Sequence, residues 1–354
     1  MITLGIETSC DETALCLLET KDEKGELQYR ILGNIVNSQI DMHREYGGVY
    51  PALAKREHIK NLPILFKKLK EDSGIEENKI DEIAVTAGPG LEPALWTGIV
   101  FAKELSQKIN IPIIPVNHME GHIVSILYNN TNINKDFEKI KKIKFPALAI
   151  LISGGHTELV KIEGIGEYKI LGRTRDDAIG EAFDKVARML ELPYPGGPEI
   201  SKLAEQARKE NIANEIKLPR PMIHSKDLDF SFSGLKTAIL YTLKEIGNLD
   251  QNQKKDIARE FENSVTEVLI AKTEKALEEA ECNSIIIGGG VIANNYIRSE
   301  FEKLSVKYNI PLFLPERSLT GDNALMIALA GILSDNKKNP LGISALGNLS
   351  FDLI

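Results

Sequence analysis

Cysteine, tryptophan and long apolar runs are all scarce in this sequence. The chain has three cysteines, Cys10, Cys16 and Cys282, with no CxxC pair, and a single tryptophan. An odd, sparse cysteine count excludes a disulfide scaffold and indicates a reducing compartment. No apolar stretch approaches the ~18 residues of a membrane-spanning helix, and the first ten residues lack the basic segment of a secretory signal. These absences predict a soluble, cytoplasmic protein that does not contact membranes.

A surplus of basic residues is also missing. The 354 residues include 43 Lys and Arg against 51 Asp and Glu, which gives a formal net charge of −8. This balance excludes a protein whose whole surface attracts nucleic acid, but it leaves a local basic patch open. The hydrophobic fraction of 43% and the charged fraction of 27% are typical of globular proteins. The length predicts about two domains.

A strand–turn–strand pattern occurs twice. The chain opens with a buried strand at 2–6, a polar turn and a second strand at 13–18, and the same order returns at 147–162. A third turn, rich in glycine, follows a buried strand at 285–287. Glycine lets backbone N–H groups approach an anion closely, although a single such turn is most often an ordinary hairpin. The repetition predicts an internal duplication, and the three turns together predict a two-lobed nucleotide clamp.

Two histidines have the spacing of metal ligands. His118 and His122 are four residues apart, so on a helix they share one face and suit a single metal ion. The residue after the first histidine is Met119, so the glutamate base of an HExxH protease is missing. A third ligand has to come from elsewhere, and Asp322 at a glycine-opened helix start is the best candidate. On spacing alone, a solvated or core-satisfied histidine pair stays an alternative.

Carboxylates line one face of a helix in the second half of the chain. Asp177, Glu181 and Asp184 recur at four- and three-residue spacing. Such a face is usually solvated, but its position after the second hairpin leaves ribose binding open. The turn at 194–198 is either a structural connector or a site where the Gly197 amide contacts a ligand.

Eight motifs carry a family resemblance. They are GIETSCDET at 5–13, NHMEGH at 117–122, SGGHT at 153–157, GEAFDK at 180–185, YPGGP at 194–198, SFSGLKTA at 231–238, GGGVIANN at 288–295 and TGDNA at 320–324. With them the sequence resembles, essentially end to end, the universal family of tRNA threonylcarbamoyladenosine-forming transferases, formerly labelled O-sialoglycoprotein endopeptidases. The HMEGH sequence is similar to that of the bacterial and organellar branch.

The resemblance implies an α/β protein with an actin/hexokinase/Hsp70-like fold. This fold has two duplicated lobes, each with a mixed sheet flanked by helices, and a cleft between them. We expect an N-terminal lobe at 1–128, with a C-terminal helix at 322–354 packing back on it. The C-terminal lobe is expected at 145–321, with a helical insertion at about 193–280. The polar, unpatterned segment 129–135 is predicted to link them.

The resemblance also implies the site residues. One iron(II) or zinc ion per chain is expected on His118, His122 and Asp322. An adenine nucleotide, either threonylcarbamoyl-adenylate, AMP or ATP, is expected to contact a further set of positions. These positions are Leu151, Ile152, Ser153, Gly154, Gly155, Asp184, Gly197 and Asn294. Asp11 and Glu12, in the first hairpin turn, are candidates for proton handling.

The implied reaction moves a threonylcarbamoyl group from threonylcarbamoyl-adenylate to the N6 amine of the adenosine at position 37, beside the anticodon. The tRNAs concerned read codons that begin with A. The implied partners are tRNA, a shorter metal-less paralogue and a P-loop ATPase. One alternative is a metal-dependent peptidase, which the missing glutamate after His118 counts against. The other is a sugar kinase or ATPase of the same fold, which the histidine pair counts against.

Overall fold

The structure is a computed structural model, and it describes residues 1–129, 131–133, 136–334 and 342–351. The chain divides into two units, Met1–Ile143 with Pro315–Ile354, and Lys144–Leu314. Parts of two sequence predictions lie outside the described residues. These are positions 130, 134 and 135 of the predicted linker, and positions 335–341 and 352–354 of the predicted C-terminal helix.

Strands and helices follow one another in both units. The strands are β1 (Ile2–Glu7), β2 (Glu12–Glu23), β3 (Glu26–Ser38), β4 (Glu82–Gly88), β5 (Ile113–Asn117), β6 (Glu138–Lys139), β7 (Ala147–Ile152), β8 (Thr157–Gly164), β9 (Glu167–Arg173), β10 (Ser284–Gly288) and β11 (Leu312–Phe313). The helices are α1 (Ile40–His43), α2 (Pro51–Ser73), α3 (Glu92–Ile109), α4 (His118–Val124), α5 (Ile179–Met189), α6 (Gly196–Lys209), α7 (Ser233–Ile246), α8 (Gln251–Ala280), α9 (Asn295–Tyr308) and α10 (Ala324–Leu333).

The sheet of the first unit has the strand order β5-β4-β1-β2-β3-β6. The hairpin partners β1–β2 and β2–β3 are antiparallel, whereas β1–β4 and β4–β5 are parallel. The central strand β1 is buried from Thr3 to Glu7, because helices and neighbouring strands cover it on all sides. Such a strand has a near-continuous apolar sequence rather than an alternating one, which explains why the sequence predicted it.

The sheet of the second unit repeats this topology. Its order is β11-β10-β7-β8-β9, with antiparallel β7–β8 and β8–β9 pairs and parallel β7–β10 and β10–β11 pairs. When β7 is matched with β1, the order and the directions of five strands agree between the two sheets. The duplication that the strand–turn–strand pattern predicts is therefore confirmed. The helices α5 to α9 cover this second sheet, with Phe183, Phe261 and Phe301 in its core.

Helix α10 lies against the sheet of the first unit and is buried almost all round. Its close approach depends on Gly5 in β1, where an added Cβ atom would come within 2.4 Å of the Ala324 carbonyl oxygen. At the other end, a Cβ atom on Gly331 would lie 2.5 Å from the Cβ atom of Ala84 in β4. The two glycines let the backbones approach, and this contact fixes the position of the segment that precedes α10.

The predicted helix at 322–354 is too long. Helix α10 ends at Leu333, and none of the described residues 342–351 lies in an α-helix. Instead the tail bonds to the end of β4, where Leu346 N donates to the Ala87 carbonyl and Gly90 N donates to the Gly347 carbonyl. The glycines at 342 and 347 disfavour helix, and pairing with β4 satisfies the backbone groups in another way.

None of the helices formed by the described residues is both long enough and apolar enough to cross a bilayer.

Candidate functional site

Helix α4 carries the histidine pair. Its N-terminus is capped by Asn117, whose Oδ1 accepts hydrogen bonds from Met119 N at 2.8 Å and Glu120 N at 3.2 Å. Every residue of α4 is buried, and the rings of His118 and His122 lie 4.7 Å apart between centroids. The i, i+4 spacing therefore places both rings on one face, as the sequence predicts.

Asp322 meets this face from the start of α10. Its Oδ1 lies 3.3 Å from His118 Nε2 and 3.3 Å from His122 Nε2, and the possible ligand atoms all lie within 4.8 Å of one another. Among the described residues, neither ring nitrogen of buried His122 has a partner with hydrogen-bond geometry. The structure thus brings together the three residues that the sequence predicts as metal ligands.

A metal ion fits this donor set. Two atoms bound to one tetrahedral ion at about 2.0–2.1 Å lie about 3.3 Å apart, which is the separation of each imidazole Nε2 from the Asp322 oxygen. Burial of an unpaired imidazole is costly, and a cation bound at Nε2 would remove that cost. Two histidines and one carboxylate are a common ligand set for zinc and iron(II).

The charged groups of the site shift each other's pKa values. Burial favours neutral forms, yet the positive charge and hydrogen bond of His118 keep the pKa of Asp322 well below its usual range. In the other direction, Asp322 and Glu7 outweigh burial and raise the pKa of His118 well above its usual value. His118 therefore lies between two carboxylates.

Sequence reasoning missed Glu7. This residue ends the buried strand β1, and its Oε2 lies 3.0 Å from His118 Nδ1. Burial raises the pKa of Glu7, but the interaction with His118 outweighs burial and brings this pKa below its usual value. The available signal was a charged residue at the last position of an otherwise apolar strand, because buried carboxylates need a partner.

Asp11 and Glu12 lie in the same unit, where Asp11 ends the turn after β1 and Glu12 begins β2. Asp11 is buried, and its Oδ2 has no hydrogen-bond partner among the described residues. Glu12 accepts a hydrogen bond from Ser38 Oγ at 3.1 Å. Burial, together with the nearby carboxylates of Asp322 and Asp11, raises the pKa of Glu12 to about 9. Glu12 thus lies in the electrostatic field of Asp322 in the candidate metal site.

The second unit contains a cavity of about 440 Å³. Four of the predicted nucleotide contacts line it, namely Gly154, Asp184, Gly197 and Asn294. The side chains of Leu151 and Ile152 are instead fully buried in β7. Ser153 and Gly155 belong to the turn beside Gly154, where Ser153 Oγ accepts a hydrogen bond from His156 N. The structure therefore places half of the predicted set in the lining of one cavity.

Asp184 supports the first turn of α6. Its Oδ1 accepts a hydrogen bond from Gly196 N at 2.7 Å. An added Cβ atom on Gly196 would lie 2.4 Å from the Cβ atom of Ala187, so only glycine fits between α5 and this turn. A Cβ atom on Gly197, in contrast, would meet open space. The turn thus exposes the Gly197 backbone at the cavity.

The side chain of Asn294 is bound within the protein. Its Oδ1 accepts hydrogen bonds from Tyr296 N and Ile297 N, which caps α9, and its Nδ2 donates to Glu262 Oε1 at 2.6 Å. Glu262 is fully buried, and burial raises its pKa. These contacts give Asn294 a structural role that its position in a glycine-rich motif does not reveal.

Replacement of Asn294 with alanine is expected to destabilise the protein by about 1–3 kcal/mol, because it removes a helix cap and a partner of a buried carboxylate. Asp250→Ala is the matched control, since Asp250 caps α8 at an exposed position with no buried partner. That variant should lose only a cap, about 0.5–2 kcal/mol. Urea unfolding of both variants measures the difference. Equal losses would show that the bond to Glu262 contributes nothing.

The fold and the site together define a class of protein. Two sheets of one topology and a His–His–Asp cluster describe an α/β protein of the actin/hexokinase/Hsp70-like type with a candidate metal site. Full-length HypF in its phosphate- and nucleotide-bound form is a solved structure with this fold. It matches with a TM-score of 0.57 at 14% identity, over 94% of this chain and 46% of HypF. Component A of the (R)-2-hydroxyglutaryl-CoA dehydratase from Acidaminococcus fermentans matches with a TM-score of 0.50 at 12% identity, over 94% of this chain and 96% of that one. At these identities the likeness shows the fold alone.

Sequence comparison identifies the family. The family model TsaD, tRNA N6-adenosine threonylcarbamoyltransferase, matches residues 30–329. The enzyme of that name from Thermosipho melanesiensis is 45% identical over 350 residues, covering 99% of this chain and all of the relative. The one from Polynucleobacter asymbioticus is 47% identical over 343 residues, covering 94% and 92%. The chain therefore belongs to the TsaD family of tRNA N6-adenosine threonylcarbamoyltransferases and is a tRNA-modifying transferase. Neither the peptidase nor the sugar-kinase alternative is favoured.

Proposed function

We propose that one iron(II) or zinc ion, bound by His118, His122 and Asp322, serves the transfer of a threonylcarbamoyl group from threonylcarbamoyl-adenylate to the N6 amine of adenosine 37. The observation that carries this proposal is the convergence of three ligand atoms, from two buried histidines and the half-buried Asp322, with two separations of 3.3 Å. A divalent ion with three protein ligands keeps open positions and supplies Lewis acidity toward a carbonyl group. The protein's part is to hold the donor set rigidly in α4 and at the start of α10.

The adenine nucleotide is proposed to bind in the cavity of the second unit. Its volume of about 440 Å³ lies in the range of small-molecule sites. The backbone at Gly154 and Gly197 is open, because a Cβ atom at either position would meet no atom within 4 Å. Their N–H groups can therefore approach a phosphate or ribose closely.

The remaining predicted contacts act in different ways in this proposal. Asp184 and Asn294 line the cavity and also hold its turns in place. Ser153 and Gly155 complete the turn that presents the Gly154 backbone. The buried Leu151 and Ile152 act through the position of β7, which ends where this turn begins.

Asp11 and Glu12 are proposed to handle protons during transfer. The N6 amine loses a proton when it forms the new bond to the carbonyl carbon, and the departing AMP leaves as a phosphate anion. A carboxylate near the acceptor amine can take that proton. Asp11 offers an oxygen that is unpaired among the described residues, and Glu12, whose pKa is raised to about 9, can hold a proton at neutral pH.

The proposed partners follow from the charge of the chain and from the family resemblance. Contacts to phosphate draw their strength from Lys and Arg side chains, and a net charge of −8 disfavours the binding of a polyanion by this chain alone. We propose that a shorter metal-less paralogue and a P-loop ATPase supply further tRNA contacts or order the substrate. The reaction on tRNA is proposed to take place in the cytoplasm.

An assay with synthetic threonylcarbamoyl-adenylate and unmodified tRNA tests the function. We expect repeated turnover only when the metal-loaded chain is mixed with both partners, because the isolated chain binds tRNA poorly at near-physiological salt. The modified nucleoside is counted by mass spectrometry after nuclease digestion. A tRNA with guanosine at position 37 is the control and should stay unmodified. Turnover by the isolated chain would refute the partner requirement, and no product with both partners and either metal would refute the proposed function.

A further inference from the structure

Glu7 is fully buried at the end of β1, directly behind the candidate metal site. Its Oε1 accepts a hydrogen bond from Ser9 N at 2.5 Å. Its Oε2 accepts one from Thr86 Oγ1 at 2.6 Å and lies 3.0 Å from His118 Nδ1. The carboxylate is thus held from three sides within the first unit.

The donors and acceptors around Glu7 determine which form of His118 fits. An ionised carboxylate can only accept hydrogen bonds, and the Thr86 hydroxyl already donates its single proton to Oε2. The third contact is favourable only if His118 Nδ1 carries a hydrogen and donates it. Neutral imidazole has one N–H, so Nε2 is then the atom with the free lone pair. This is the atom that lies 3.3 Å from Asp322 Oδ1.

We propose that Glu7 is a positioning residue that fixes His118 in the Nδ1–H tautomer and orients its Nε2 toward the metal. Such a carboxylate–histidine contact also makes the imidazole a more basic ligand. The inference rests on the proposed metal site and adds a residue that does not itself touch the ion. His122 has no comparable carboxylate at its Nδ1 atom, which lacks a hydrogen-bond partner among the described residues. The two histidines therefore differ, and His118 is the one that the protein orients.

Metal affinity of a Glu7→Gln variant tests the proposal. Glutamine keeps the shape of the side chain but removes the charge and gives Nδ1 a weaker acceptor. Loss of such an outer-shell partner is expected to weaken Zn²⁺ and Co²⁺ binding about 10–100-fold, measured by chelator competition and by the visible absorption of bound Co²⁺. Glu82→Gln is the matched control, since Glu82 is equally buried in the adjacent strand β4 and accepts a hydrogen bond from Thr3 Oγ1. Its affinity for both metals should stay within about twofold of the wild type.

Three outcomes separate the possibilities. Weaker binding by Glu7→Gln with unchanged binding by Glu82→Gln supports the positioning role. Equal affinity of Glu7→Gln and the wild type would overturn that role while leaving the metal site intact. If the wild-type chain does not bind one equivalent of either metal, the proposed metal site itself fails.

A second measurement needs no folded Glu7 variant. The chain has six histidines, so ¹⁵N-histidine spectra of the zinc-loaded wild-type protein are simple enough to assign His118 by comparison with a His118→Gln sample. We expect the His118 proton on Nδ1 and a zinc-shifted Nε2 resonance. A proton on Nε2 would overturn the proposal, whatever the stability of the variants.

Discussion

An Asp322→Asn variant is expected to lose stoichiometric metal binding and threonylcarbamoyl transfer while it keeps its fold. The Asp322 oxygen lies 3.3 Å from both Nε2 atoms, so it is an anionic group that the two imidazoles share. The amide oxygen of asparagine is neutral and therefore a weaker metal ligand than the carboxylate. We expect the affinity for the metal to fall more than about 100-fold, beyond the 10–100-fold effect of an outer-shell partner. His118→Ala and His122→Ala are expected to behave in the same way.

Metal content per chain, measured on anaerobically purified protein, checks this result, and circular dichroism checks the fold. His224→Ala serves as the control, because His224 belongs to the second unit and is not one of the three residues of the cluster. It should keep one metal ion per chain and full transfer activity. Full metal occupancy in all three ligand variants would show that the His–His–Asp cluster is not the metal site.

The sequence predicted those parts of the site that depend on local spacing. The pair His118 and His122 faces one way because a helix repeats every 3.6 residues, and no other part of the chain is needed to see this. Asp322 is about 200 positions away, and only the family resemblance and the start of a helix suggested it. The sequence did not predict the role of Glu7, because its contact with His118 depends on the order of β1, β4 and β5 in the sheet. Long-range pairing of this kind is not visible in periodicity.

The second unit shows the same limit. Its strands were predictable because β7 is a continuous apolar run and β8 follows a tight polar turn. Asn294, however, belongs to a motif that suggests ligand contact, whereas its amide caps α9 and bonds to buried Glu262. Helix α8, which carries Glu262, precedes this motif in the chain and reaches it only through tertiary packing. A motif therefore identifies important residues without saying which of them touch a ligand.

The second large effect is expected from Gly5→Ala, a substitution of one hydrogen by a methyl group at a position that carries no charge. The new Cβ atom would lie 2.4 Å from the Ala324 carbonyl oxygen, 2.9 Å from Cys16 Sγ and 3.0 Å from the Ala328 Cβ atom. Helix α10 has to move away from β1 to make room, and overpacking of this kind costs about 1–3 kcal/mol. Because Asp322 lies two residues before α10, the shift should also separate its carboxylate from the two histidines.

We therefore expect Gly5→Ala to lower both the free energy of unfolding, measured in urea, and the affinity for Zn²⁺, measured by chelator competition. Gly164→Ala is the control, because a Cβ atom there would approach nothing closer than 3.7 Å. That variant should keep the wild-type stability to within about 0.5 kcal/mol and the wild-type metal affinity. If Gly5→Ala lost stability but bound zinc as tightly as Gly164→Ala, the position of α10 would not control the geometry of the ligand set. A loss of both properties would instead tie the close packing of α10 on β1 to metal binding.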